Sequence, residues 1–199
     1  MRQQVRAEET RSRIINAARV CFSRYGYDAA SVADICTEAG ITKGAFYYHF
    51  ETKQGLFLEL LNTWLAQFDT QLLQERGESL TVSDNLIEMA GSTSIIFKES
   101  AGYLPMFLEF WLHSIRDPNI WQKVIEPYRR YMELFTRLLE EGRSDGSIQA
   151  DDSLLAVRAI LALAIGMILQ GLMDPQGADW GKETQESVRL LLKALRPAD

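Results

Sequence analysis

From Ile14 to Leu195 the apolar residues of this chain recur three and four positions apart, and no alternating run of useful length interrupts them. That spacing matches the 3.6-residue turn of an α-helix, in which every third or fourth side chain returns to one face. No Asn-Gly or Asp-Gly pair stands between strand-like runs; Asp145-Gly146 lies between two helical patterns and reads as an interhelix turn. The fold class is therefore all-α. A first helix is expected over about Ala7–Tyr25, with Ile14, Ala18, Cys21, Phe22 and Tyr25 on one face and Gly26 as its stop. Ser31 caps a short helix, Val32–Glu38, and Thr42 caps another, Lys43–His49. Thr52 opens a long one, from Lys53 to about Arg76. Further helices are expected near Val82–Glu99, Pro105–Ile115, Asp117 to about Glu141, Asp151–Met173 and Gly181–Leu195, with Pro127 as a kink in the third of these.

With 199 residues, 47% hydrophobic and 24% charged, the chain has the composition of a soluble globular protein large enough to bury a core. No wholly apolar run reaches the ~18 residues of a spanning helix; the nearest, Ile160 to Met167, is bracketed by Arg158 and Gln170. The N-terminus lacks an apolar leader segment, so a cytoplasmic protein without a membrane partner is expected. Cys21 and Cys36 fall on apolar helical faces and read as small core residues. Net charge is −6, against indiscriminate coating of nucleic acid, but it is unevenly placed. Residues 1–55 carry a balance of +2 and the rest −8. Arg2, Arg6, Arg11 and Arg13 cluster at the start, as an arm approaching DNA would.

The stretch GITKGAFYYHFETKQGLF, Gly40 to Phe57, carries the most chemistry. Phe46 and Phe50, four apart, supply a buried stripe, which leaves Tyr47, Tyr48 and His49 for another task. Two short helices across the turn Ala39-Gly40-Ile41, supported by a preceding helix, form a helix-turn-helix pattern over about residues 31–50. In such a unit the second helix enters the major groove and flanking groups hold phosphates. Ser31, Thr42, Lys43, Gly44, Ala45, Tyr47, Tyr48, His49 and Lys53 are the candidate DNA contacts. Thr42 and the N–H groups behind it suit a phosphate, and Lys53 and Tyr47 reach others. Gly44 and Ala45 let the backbone approach base edges, with Ala45 against a thymine methyl.

Over about Arg13 to Leu61 the chain resembles the TetR/AcrR transcriptional regulators. The resemblance rests on Ala17-Ala18, Phe22, Gly26, Ser31, Val32-Ala-Asp-Ile35, Ala39-Gly40, Lys43-Gly44, Tyr47, Phe50, Lys53 and Leu56 in register. Ser31 stands where threonine is usual, Cys21 where leucine is and Cys36 where alanine is. The resemblance implies a repressor-like homodimer whose C-terminal helical body binds a small molecule and releases a pseudo-palindromic DNA operator. The domains expected are a DNA-binding head over residues 1–52 and a ligand-binding and dimerisation body over residues 53–199.

Two other classes compete with this reading. A helical-bundle di-iron enzyme needs Glu-x-x-His on two helices, but Glu109-Phe-Trp-Leu-His113 has the wrong spacing and the chain has two histidines in all. With no Cys/His zinc cluster and no phosphate-binding glycine loop, neither enzyme activity, metal nor cofactor is expected. His113 reads as structural. A protein-interaction bundle without DNA activity is the other alternative, and the donor set from Thr42 to Lys53 argues against it.

In the body, Trp64, Phe68, Phe107, Phe110, Trp111, Tyr128, Tyr131 and Met167 are the candidate lining of an apolar effector pocket. Glu88 and Glu109 leave room there for a cationic effector. Leu155, Ala159, Ala162, Gly166, Leu169 and Met173 form one apolar stripe, and Val188, Leu191, Leu192 and Leu195 a second. Paired with their copies they would make a four-helix dimer interface. An effector that tilts the helix from Lys53 would move two reading helices off the roughly 34–36 Å separation that DNA requires.

Overall fold

The structure, a computed structural model, describes residues 2–74, 80–94 and 103–195; all regular structure among them is helical. We number the helices α1 (Arg2–Tyr25), α2 (Val32–Ala39), α3 (Lys43–His49), α4 (Lys53–Gln74), α5 (Val82–Gly91), α6 (Tyr103–Ser114), α7 (Pro118–Ser144), α8 (Ser153–Met173) and α9 (Trp180–Lys193). The expected ends near Arg76 and Glu99 lie outside the described residues. Helix α1 begins five residues earlier than expected, since no proline or glycine precedes Gly26 to stop it. Helix α7 runs through Pro127 and stops beyond Glu141, at Ser144.

Capping follows the sequence closely. Ser31 and Asp34 exchange side-chain and backbone hydrogen bonds at the start of α2, and Gly40 closes that helix in the left-handed region at φ 61°. Thr42 Oγ1 accepts from Ala45 N at 3.2 Å, and Asp117 Oδ1 accepts from Asn119 N at 3.0 Å ahead of α7.

The described chain packs as two compact units. The first takes in Met1–Leu65 with Gly102–Val124, the second Ala66–Ala101 with Ile125–Asp199. In unit one, Ile14, Ala18 and Phe22 of α1 meet Ile35 of α2, Phe46 of α3, Leu56 and Phe57 of α4 and Phe110 of α6, all essentially inaccessible to solvent. The isoleucine, leucine and phenylalanine side chains among them contribute about 1.5–3 kcal/mol each by burial. Ile41, in the turn between α2 and α3, packs against this core from outside.

In unit two, Leu86, Ile87 and Met89 of α5 pack with Val188 and Leu192 of α9, joined by Phe135, Leu138 and Leu139 of α7 and Val157 and Ile160 of α8. Glycine permits close approach here: a Cβ at Gly181 would lie 2.5 Å from Ser94 Cβ. Helix α8 corrects one expectation, being long and apolar enough by length and composition to cross a membrane although Arg158 lies within it. Only 28% of its most apolar stretch is buried, so much of its surface is left uncovered by its own chain.

Candidate nucleic-acid interface

Helix α3 has two sharply different faces. Phe46 is fully buried, and Phe50, just past the helix, is nearly so, their rings 6.1 Å apart. On the other side Tyr48 is 80% exposed and Tyr47 53%, while Thr42, Lys43 and Gly44 are also exposed. Ala45 and His49 are half-buried, and the His49 ring meets Tyr48 edge-on at 5.0 Å. Gly44 is informative, because packing does not require it. Its φ is not positive, and a Cβ there would meet only Thr42 Oγ1, at 3.8 Å. A glycine that neither turn nor packing needs, on an exposed helix face, leaves the backbone open to close approach from outside.

Charged side chains around this face are partly committed to the frame. Arg13 donates to Ala39 O at 2.5 Å and Gly40 O at 3.2 Å, pinning the turn before α3. Arg11 pairs with Glu59 and lies 5.1 Å over the Phe50 ring. These two therefore do not form a free arm: α1 is helical from Arg2, and both guanidinium groups turn onto the head itself, leaving Arg6 exposed. The side chain of Arg2 lies outside the described residues.

Lys53 also departs from expectation. Its ammonium donates to the carbonyls of Tyr27 (2.8 Å), Asp28 (3.3 Å) and Ala30 (3.0 Å), and lies 4.4 Å over the Tyr27 ring. An ammonium has three protons, and three carbonyls take them. Burial pushes its pKa down, opposed by the charges of Asp28 and Glu109. Ser31 likewise gives its one hydroxyl proton to Asp34, at 2.5 Å, so it serves α2 as a cap. Thr42, Lys43, Gly44, Ala45, Tyr47, Tyr48 and His49 are brought together on one short helix and its cap; Ser31 and Lys53 belong to the frame around them.

Two family models match the chain. Residues 14–60 match that of bacterial regulatory proteins of the tetR family, and residues 100–196 the C-terminal model of BetI-type transcriptional repressors, together most of its length. The chain belongs to the tetR family. Among its relatives, the HTH-type transcriptional regulator UidR of Escherichia coli K12 is 26% identical over 185 residues, covering 90% of this chain and 88% of UidR. The crystal structure of the regulator FadR from Bacillus subtilis with stearoyl-CoA superposes with a TM-score of 0.76 at 22% identity, over 93% of this chain and 99% of FadR. A putative transcriptional regulator from Pseudomonas aeruginosa PAO1 reaches a TM-score of 0.81 at 21% identity, over 94% and 90% of the two chains. At these identities the structures attest a shared fold.

As a tetR-family protein, the chain distributes its expected effector residues over both units. Phe110 is core: it is 1% exposed, its ring stacks on Phe57 at 4.1 Å, and the Tyr27 ring lies near-perpendicular to it at 4.8 Å. Phe107 packs on Phe57 and on Trp64 in the same unit, and Trp111, 41% exposed, stacks with Trp121 at 6.1 Å. In unit two, Phe68 meets Tyr131 edge-on, Met167 is buried and Tyr128 is 39% exposed. The Tyr131 hydroxyl donates to Asp69 Oδ1 at 2.5 Å, and Arg130 pairs with the same carboxylate at 2.6 Å. Burial and that hydrogen bond raise the phenol's pKa, so it stays neutral. An open surface hollow of about 670 Å³ in unit two is lined by Val82, Arg137, Glu140, Glu141, Ser144 and Asp145, none of them among the residues expected to line an effector pocket.

Neither acid proposed for a cationic effector is free. Glu88 accepts from Gln185 Nε2 at 3.3 Å, and Glu109 accepts two backbone N–H groups. The two apolar stripes also part company. On α8, Leu155, Ala159, Ala162, Leu169 and Met173 are exposed and Gly166 half-exposed, with open space where its Cβ would point. On α9, Val188 and Leu192 are 1% exposed and belong to their own unit's core, with Leu191 and Leu195 packed beside them; Leu190, 71% exposed, is the residue left outward.

Proposed function

We propose that this protein is a ligand-responsive regulator of transcription that reads a pseudo-palindromic DNA site as a homodimer, most simply as a repressor. The observation that carries this is helix α3, whose polar and aromatic face stands open while Phe46 within it and Phe50 just past it anchor it. Thr42 and Lys43 would hold a phosphate at the helix start, Gly44 and Ala45 would lie against base edges, and Tyr47, Tyr48 and His49 would reach along the groove. The head corresponds to residues 1–52 and the regulatory body to residues 53–199. One seven-residue reading helix covers too few base pairs for useful specificity, so two copies are required, and the open α8 face supports a pairing surface there. The stearoyl chain of the ligand in the FadR complex supports an effector with a large apolar part.

The test starts by selecting duplexes from a random library with the wild-type chain and measuring binding against salt. Lys43→Ala is expected to weaken binding to every duplex and to reduce the slope of log K against log[salt] by about one. A wild type that enriches no sequence, or a Lys43→Ala variant with unaltered affinity and slope, would refute this reading.

A further inference from the structure

We infer that Glu109, on α6 and outside the stretch matched as the DNA-binding segment, is a positioning residue for operator binding: its carboxylate holds the loop that sets where the helix-turn-helix begins. The inference rests on the reading of α3 as a DNA-reading helix. Glu109 Oε2 accepts from Tyr27 N and Oε1 from Asp28 N, both at 2.8 Å. From the other side, Lys53 on α4 takes the carbonyls of Tyr27, Asp28 and Ala30. Five backbone polar groups of one short loop are thus satisfied by two oppositely charged side chains from two different helices. Charge-assisted hydrogen bonds of this kind are shorter and stronger than neutral ones.

The loop is shaped for this grip. Gly26 has φ +81°, and a Cβ there would lie 2.6 Å from Glu109 Oε2, so glycine serves both the turn and the close approach. Tyr27 is 2% exposed among Phe22, Phe57 and Phe110, which fixes the loop's depth. His113, one turn along α6, sets its Nδ1 3.4 Å from Asp28 Oδ1 and its ring against Tyr27. The loop ends at Ala30, immediately before the Ser31 cap of α2, and Lys53 follows α3 by four residues. Whatever holds this loop therefore sets the pose of α2 and α3 together.

The sign of the effect separates this role from plain electrostatics. Removing a carboxylate from a DNA-binding protein should tighten DNA binding through the long-range field. Loss of positioning should weaken it. The full-length Glu109→Gln and Glu109→Leu variants are to be titrated with the duplex that the wild-type chain selects. The expected result is binding weaker by about tenfold, an ordinary consequence of losing hydrogen bonds to a charged group. Helix content should be unchanged at the assay temperature, the salt slope should be retained, and amide exchange at Tyr27 and Asp28 should be faster. Equal or tighter binding by both variants would overturn the role of Glu109 alone. So would weakening that appears only with lost helix content or a changed salt slope. A wild type that selects no duplex would overturn the regulator reading and this inference with it.

Discussion

Cys21 and Cys36 show how a side chain's surroundings decide its chemistry. Both are free thiols, 2% and 5% exposed, in the unit-one core. Burial raises both pKa values; the charges of Glu38 and Asp34 add to this at Cys21, while Lys43 opposes it at Cys36. The thiolate is the reactive form, so a raised pKa and an enclosed sulfur both suppress reactivity. Neither cysteine should react measurably with a thiol reagent such as Ellman's at neutral pH until denaturant is added. Stoichiometric labelling of the native protein would contradict this packing. Gly44 and Phe46 mark the opposite poles of α3, the first open to whatever approaches and the second sealed into the core.

Among elements, α2 depends on its first turn. Ser31 Oγ accepts from Asp34 N at 3.2 Å, and Asp34 Oδ2 accepts from Ser31 N at 2.9 Å and from its hydroxyl. An eight-residue helix is too short to form without tertiary and capping support. Ser31→Ala should lower stability at neutral pH by about 1 kcal/mol, measured by urea unfolding. The Ser31 side-chain and backbone hydrogen bonds hold the Asp34 carboxyl below its usual range. A depressed folded-state pKa stabilises fully above the unfolded value and is lost as pH falls through the folded one. The gap between wild type and Ser31→Ala should therefore be constant near neutrality and shrink below about pH 4. A gap that widened in acid would reverse the assignment of the cap.

The whole molecule turns on which apolar surfaces the chain covers for itself. Helix α8 leaves Leu155 62% exposed and Met173 85% exposed, while α9 buries Val188 and Leu192. These surfaces predict contrasting variants. Leu155→Asp places a charge on the proposed pairing face and should give a folded monomer in sedimentation at micromolar concentration, with operator binding lost. Leu192→Ala empties part of a packed core and should destabilise the chain by about 2–5 kcal/mol in chemical unfolding. A wild-type monomer, or a Leu155→Asp dimer, would remove α8 from the interface.

Helical periods, the Ser31 and Thr42 caps, the stop at Gly26, the turn at Gly40 and the two faces of α3 could all be read in the sequence. Each depends on residues within a turn or two of one another, where backbone sterics and side-chain spacing act directly. The α8 and α9 stripes looked alike there, because periodicity identifies an apolar face without saying what covers it. Packing in unit two gave Val188 and Leu192 an intramolecular partner and left the α8 stripe open. Arg11 and Arg13 read as part of an arm toward DNA and Lys53 as a phosphate donor, yet folding delivered acceptors to them first: Glu59, the carbonyls ending α2, and the loop after α1. Glu109 carried no local signal at all, since its partners Tyr27 and Asp28 lie 82 and 81 positions away. Charges on long side chains are satisfied by whatever the tertiary fold brings within about 3 Å, and that juxtaposition is decided by burial of the core rather than by sequence neighbours.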